Sequence, residues 1–289
     1  MPLQTHQFLT LTVLFFLGKT GANIAVPWAV FFGVVLWAAA LESFWAYRHY
    51  GPNMRGPWSA MSTAIGLMLM VSSSTVVAYL VGVLVALAQK HLLRCCGRHF
   101  FNPSNFGLVV ILLLFYDQAH IIAGQLGESV TLAVIVGGLA ATVLIRADRW
   151  RIPLVFVLAY LAAEYLWVVG YDPMVHIDMV WYRFYSVSFI VFVVFMLTDP
   201  RTTPSRGLCQ VLFAAAVAIG AAWMDRWYGL RLQHLFVVLM LASVWVPACE
   251  LSGGERKKAL LYGGVLFLLG VGAIIYLQSQ PPYYFEMEG

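Results

Sequence analysis

Lys90-His91-Leu92-Leu93-Arg94-Cys95-Cys96-Gly97-Arg98-His99-Phe100-Phe101-Asn102-Pro103-Ser104-Asn105-Phe106-Gly107 is the most basic loop of the chain, and it closes on Asn-Pro at the head of an apolar run. Asn is a good helix N-cap. Pro suits the first helical position because its missing N–H would be unpaired there anyway. The backbone N–H groups of Ser104 and Asn105 are expected to point into the loop at the positive end of the helix dipole, a seat for an anionic or carbonyl-bearing ligand. The same residues also suit a plainer reading, in which Asn-Pro starts a membrane helix and the basic residues sit at the lipid surface.

The rest of the chain makes that helix one of many. Of 289 residues, 62% are hydrophobic and 10% charged, and the mean hydropathy is +0.83. This composition excludes a soluble domain and points to an all-α, polytopic membrane protein. Met1–His6 lacks a basic region and no cleavage pattern follows, so no removable signal is expected. Taken between charged breaks, the apolar runs give eleven spans, at about 7–18, 24–45, 58–71, 75–89, 104–116, 129–145, 153–170, 182–197, 207–223, 234–249 and 259–277. Several fall short of the ~20 residues that cross a bilayer, and shortened helices are typical of folds that build a site near the midplane. The polar hinge Ser72-Ser73-Ser74-Thr75 separates the third span from the fourth.

Charge sets the orientation. With the N-terminus in the cytoplasm, Arg48, Arg55, Lys90, Arg94, Arg98, Arg146, Arg149, Arg151, Arg201, Arg206, Arg256, Lys257 and Lys258 all lie inside. Of the 17 Lys and Arg, only Lys19, Arg183, Arg226 and Arg231 lie outside. The net charge of +4 is spread over short loops and does not imply nucleic acid. Cys95, Cys96, Cys209 and Cys249 fall at or near the inside loops and are expected as thiols. A faint repeat relates Leu69–Thr75, which ends span three, to Phe195–Arg201, which ends span eight. That relation implies two inverted five-helix halves, about 7–116 and 129–249, within a membrane domain of residues 1–250. Residues 251–289 then add an extra helix and an acidic tail.

Acids in apolar runs need a reason. Glu164 is either an ion or proton ligand or the partner of an interhelical hydrogen bond. Glu42 and Glu128 complete the candidate ion path, although both lie near interfaces where snorkelling or capping also accounts for them. In Thr198-Asp199-Pro200-Arg201-Thr202-Thr203-Pro204, Asp-Pro repeats the cap chemistry of Asn102-Pro103, and hydroxyls and arginines supply donors. The alternative there is a plain turn capped by Asp199. The histidines show no metal-ligand or haem-ligand spacing, and no nucleophile or phosphate-loop motif occurs.

Four blocks in order carry a family likeness. They are Ser59-Ala60-Met61-Ser62-Thr63-Ala64-Ile65-Gly66-Leu67-Met68-Leu69, Lys90-His91 with Phe101-Asn102-Pro103-Ser104-Asn105-Phe106-Gly107, Gly124-Gln125-Leu126-Gly127-Glu128-Ser129, and Phe195-Met196-Leu197-Thr198-Asp199-Pro200-Arg201-Thr202-Thr203-Pro204. Trp150-Arg151-Ile152-Pro153 follows the third block at a compatible distance. Over about residues 8–250 the chain resembles the family of membrane subunits shared by the Rnf electron-transport complex and the sodium-translocating NADH:quinone reductase. The resemblance implies a scaffold similar to urea transporters, residence in the bacterial inner membrane and partner subunits of a redox complex. Family members that carry covalent FMN attach it to a Thr in a Ser-Gly-Ala-Thr motif just before the Gly-Glu-Ser block. Tyr116–Gln125 occupies that place here and contains neither Thr nor Ser, so no covalent FMN is expected. In this respect the chain looks like shortened membrane proteins associated with enediyne-type gene clusters.

Three functions follow for the scaffold. The first is an electron-transfer subunit holding a noncovalent flavin (FMN or riboflavin) or a quinone. Asn102, Ser104, Asp199, Thr202 and Thr203 would line its site, and Lys90 and Arg98 would offset the charge of the reduced cofactor. The second is a permease or channel for a small solute or ion. The third is a membrane anchor for a partner enzyme, docking through the tail and loop 171–181.

Overall fold

The computed structural model describes residues 3–22, 24–50, 56–122, 130–147, 149–171 and 175–279. Each of the eleven apolar runs is helical. The order is α1 (Leu3–Gly21), α2 (Trp28–Tyr50), α3 (Trp58–Met70), β1 (Val71–Ser73), α4 (Val76–Leu92), β2 (Arg94–Cys95), β3 (Arg98–His99), α5 (Pro103–Leu114) and β4 (Ala119–Ile121). There follow α6 (Val130–Ala147), α7 (Arg151–Ala163), α8 (Ile177–Tyr185), α9 (Val187–Val191), α10 (Gly207–Tyr228), α11 (Gln233–Ser243), α12 (Val246–Glu250) and α13 (Gly253–Ser279). Both α7 and α9 run on as widened π-helical turns, Glu164–Val169 and Phe192–Met196.

Among the described residues, four segments are long and apolar enough to cross a bilayer alone: Trp28–Arg48, Arg151–Val169, Gly207–Tyr228 and Gly253–Tyr276. A fifth arises if Ile177–Tyr185 and Val187–Met196, bent by 65°, count as one. Helices α3, α4, α5 and α11 are apolar but shorter, so the helices end against one another inside the protein. Two of the expected spans are broken. The run 182–197 begins earlier, in α8, and bends at Ser186, while 234–249 divides where Pro247 opens α12.

The polar hinge separates two helices and does not merely kink one. Thr75 caps α4, its hydroxyl accepting from Val77 N at 3.3 Å. The freed backbone of β1 pairs antiparallel with β4, Val71 opposite Ile121 and Ser73 opposite Ala119. This satisfies N–H and C=O groups that an interrupted helix would otherwise leave exposed within a membrane protein.

Packing follows a pattern that occurs twice. Helix α2 lies on α4 and α4 on α5, just as α7 lies on α10 and α10 on α11. Helix α1 packs on α3 as α6 packs on α9, and contacts of α1 with α6 and of α5 with α11 join the two sets. Helices α4 and α5 approach each other closely at Gly82 and Gly107. A Cβ on Gly107 would sit 2.6 Å from the Gly82 carbonyl oxygen and 3.0 Å from Ala86 Cβ. Gly107→Ala should therefore force the helices apart and lower stability by about 1–3 kcal/mol, read as a fall in thermal midpoint. Gly137→Ala, where a new Cβ meets nothing within 4 Å, is the control.

Candidate functional site

The basic loop is a tight hairpin. Arg94 pairs with His99 and Cys95 with Arg98 around Cys96 and Gly97, whose φ angles are 53° and 77°. Two positive φ values in a two-residue turn match the twist of the flanking strands. The hairpin folds the cations back over the helix ends. Lys90 Nζ donates to Glu42 Oε1 at 2.7 Å, and His91 Nε2 lies 3.1 Å from Glu42 Oε2. Arg98 Nη1 donates to the Pro200 carbonyl at 3.3 Å, and its Nη2 is 2.9 Å from Glu250 Oε1.

Asn102 is the N-cap of α5, its Oδ1 accepting from Asn105 N at 3.1 Å, with Pro103 at the first position. Its Nδ2 reaches across to the 197–206 loop, 3.3 Å from Met196 O and 3.5 Å from Asp199 Oδ2. Ser104 Oγ donates to Thr63 O of α3 at 3.3 Å, and Asn105 Nδ2 to Phe236 O of α11 at 3.0 Å. One helix start thus ties together α3, α11 and the 197–206 loop. Asn102 and Asp199, widely separated in sequence, are in contact.

Asp199 caps a turn and not a helix. Its Oδ1 accepts from Arg201 N at 3.0 Å, and its carbonyl accepts from Thr202 N at 3.0 Å, Thr203 N at 3.1 Å and Thr203 Oγ1 at 2.9 Å. Thr202 and Thr203 are 2% and 1% exposed: they fasten the turn, and neither faces the cavity beside it. That cavity, about 190 Å³, is lined by Ser59, Ser62 and Thr63 of α3, by Asn102 and Ser104, and by Asp199 and Arg201. It shares Gln4, Ser59, His99 and Arg201 with a wider basin of about 570 Å³, into which Lys90, Arg94 and Arg98 face.

The electrostatics of the pair are unequal. Burial raises the Asp199 carboxyl above its ordinary range, against the Arg201 backbone hydrogen bond and the charges of Arg201, Lys90 and Arg149. His99 is pushed down to about 3 by burial and by repulsion from Lys90, Arg201 and Arg94, so it stays neutral at physiological pH.

A second polar cluster lies at the far end of α10, and sequence reasoning caught only part of it. Asp225, 1% exposed, accepts from Arg183 Nη1 at 2.6 Å, Tyr160 OH at 3.0 Å and Arg231 N at 3.0 Å, and His234 Nδ1 lies 2.6 Å away. Arg183 also contacts the Tyr160 hydroxyl. Glu164 is fully buried beside Asp225 and Tyr160, which are its polar neighbours. The signal was an acid and a histidine nine positions apart across the Gly229 turn. Glu42 belongs to the Lys90–His91 group, so it and Glu164 are held by different partners. Glu128 lies outside the described residues. A cavity of about 700 Å³ between α10, α11 and α13 has an almost wholly apolar lining that includes Trp223, Trp245 and Phe267, and it offers little to chemistry.

Residues 115–251 match the family described as the NQR2, RnfD, RnfE family. That segment contains the 197–206 loop and the Asp225 cluster, and the Lys90–Gly107 stretch precedes it. No curated protein matches the chain.

Proposed function

We propose, from the match of residues 115–251 to the NQR2, RnfD, RnfE family, that the chain is a membrane subunit of an electron-transport complex, holding a flavin noncovalently in the polar cavity between α3, α5 and the 197–206 loop. The observation that carries this reading is the contact of Asn102 with Asp199 over that cavity. The lining is chemically mixed: the Asn102 amide and Arg201 donate, and the Ser104 oxygen and the Asp199 carboxylate accept. A quinone ring edge offers only acceptors, whereas a flavin ring offers both N–H and C=O edges, so the donor set favours flavin. Together with the adjoining basin the space falls in the range of small-molecule sites. A bound flavin would supply reversible electron uptake. Asn102 and Asp199 would orient the ring, and the cations of the basin would stabilise its reduced, anionic form.

The doubled packing pattern supports two inverted halves, which would place this cavity between them. We assign the basic face to the cytoplasm of a bacterial inner membrane, because the loops that charge bias groups together do meet there: Arg98 with Glu250, and Arg149 Nη1 with Pro204 O at 2.7 Å.

The test is spectroscopic. Protein purified in mild detergent should carry a flavin that denaturation releases, leaving no fluorescent band on a denaturing gel. Stripped protein should rebind riboflavin in preference to a quinone. Folded protein that neither contains nor rebinds flavin would rule the reading out. In intact cells, Cys95 and Cys96 should resist impermeant thiol reagents, and their labelling from outside would reverse the orientation.

A further inference from the structure

The basin above the polar cavity has a charge imbalance that extends beyond the contacts proposed for the flavin ring. Segments far apart in the chain build its wall: Lys90, Arg94 and His99 around the hairpin, and Arg201 from the 197–206 loop. Glu42 is the acid that lines it, and Lys90 and His91 already hold that carboxylate. Arg98 is engaged by Glu250. Among the described residues, Arg94 and Arg201 make no ion pair. Arg94 Nη2 donates to the Gly97 carbonyl at 2.7 Å, and the Arg201 guanidinium meets the amide oxygen of Gln4. Two guanidinium groups thus face a concave space with no carboxylate committed to either. Burial first, and then the charges of Lys90, Arg201 and Arg94, hold His99 neutral at the edge of this basin.

A solvated basic loop needs no such convergence. Cations brought by separate segments onto one cavity of about 570 Å³ make an enclosed field of one sign, which concentrates anions. Guanidinium is also the group whose fork geometry matches an oxyanion. We infer that this basin is an oxyanion subsite, in which Arg94 and Arg201 receive the phosphate group of a ligand whose remainder occupies the rest of the cavity. The assignment does not depend on flavin. Its phosphate can come from a soluble phosphorylated compound or from an anionic lipid headgroup at the membrane surface.

Inorganic pyrophosphate is a suitable probe. Added to the full-length protein in non-ionic detergent, it should raise the thermal midpoint saturably, compared with sodium chloride at equal ionic strength. The double variant Arg94→Gln/Arg201→Gln should weaken the apparent affinity by about tenfold or more. Both side chains are exposed, so the variant should still elute as folded, monodisperse protein, and its response to pyrophosphate is read against its own midpoint without probe. Lys257→Gln, on the exposed start of α13, should change nothing. Nanodiscs separate the two sources. A pyrophosphate shift kept in phosphatidylcholine but abolished in phosphatidylglycerol identifies the lipid headgroup, and a shift kept in both identifies a soluble ligand. The inference is overturned if pyrophosphate does no more than chloride, if the double variant responds like the parent, or if polyglutamate binds where pyrophosphate does not.

Discussion

Asp225→Ala should give a chain that inserts poorly and melts far below the parent. The carboxylate accepts from Arg183, Tyr160 and the Arg231 backbone and contacts His234. Its removal leaves the Arg183 guanidinium, 11% exposed, buried without its counter-charge. Breaking one side of a buried pair costs roughly 3–5 kcal/mol, whereas replacing both partners by apolar groups costs much less. Arg183→Met/Asp225→Leu should therefore recover part of the loss, and the yield of monodisperse protein and its thermal midpoint measure both. Glu164→Gln should behave differently. Glu164 lies outside the Arg183–Asp225–His234 ion pairs, and the amide keeps its size and its ability to hydrogen-bond, so folding should stay close to normal. If Glu164 serves as an ion or proton ligand, the first of the two roles open to it in the sequence, the variant should still transfer electrons but no longer move charge in proteoliposomes. Intact charge movement in Glu164→Gln would return Glu164 to a structural role.

Asp199→Asn should lower electron transfer per folded molecule by about tenfold or more, since a charge-assisted hydrogen bond contributes roughly 1.5–3 kcal/mol. The turn itself should survive. Thr202 and Thr203 bond to the Asp199 main-chain carbonyl, and an Asn side chain can still accept from Arg201 N. What Asn cannot do is ionise. Because burial holds the Asp199 pKa above its usual range, the accepting carboxylate forms only as pH rises through that raised value. Riboflavin affinity in the parent should rise with pH over that interval, and in Asp199→Asn it should be flat. Glu255→Gln, which disturbs only an exposed pair with Lys258, should leave both readouts unchanged. Full activity with an unaltered pH profile in Asp199→Asn would assign the loop to structure alone.

The sequence carried the helices and the cap at Asn102 because both are local. Apolar runs between charges are visible as such, and Asn-Pro is a cap whatever surrounds it. The meeting of Asn102 with Asp199 was legible for a second reason: each sits at a broken helix end on the basic side. The fate of the threonines was not legible. Whether Thr202 and Thr203 face a ligand or their own backbone depends on the turn that Asp199 makes, and both outcomes use the same residues. Asp225 escaped notice for a different reason. At the end of a span, beside Arg226, it looks like an interfacial acid, and only the return of α11 brings His234 onto it. Arg183 likewise reads as an outside charge until the bend at Ser186 turns α8 inward.

The π-helical ends of α7 and α9 alter what a linear pattern can say about orientation. In each, a backbone N–H reaches back five residues, Gly170 N to Tyr165 O at 3.0 Å and Leu197 N to Phe192 O at 2.9 Å. A turn of this kind holds nearly one residue more than an α-turn, so the residues beyond it rotate by about 100° relative to a continuous helix. A helical wheel drawn through Tyr160 and Val169, or through Phe189 and Leu197, assigns the wrong azimuth to its last members. Lining residues inferred for this chain by wheel projection across these two runs need a one-position phase correction at Glu164 and at Phe192. Designed shortening by one residue within either run is the change most compatible with keeping the rest of the helix in register.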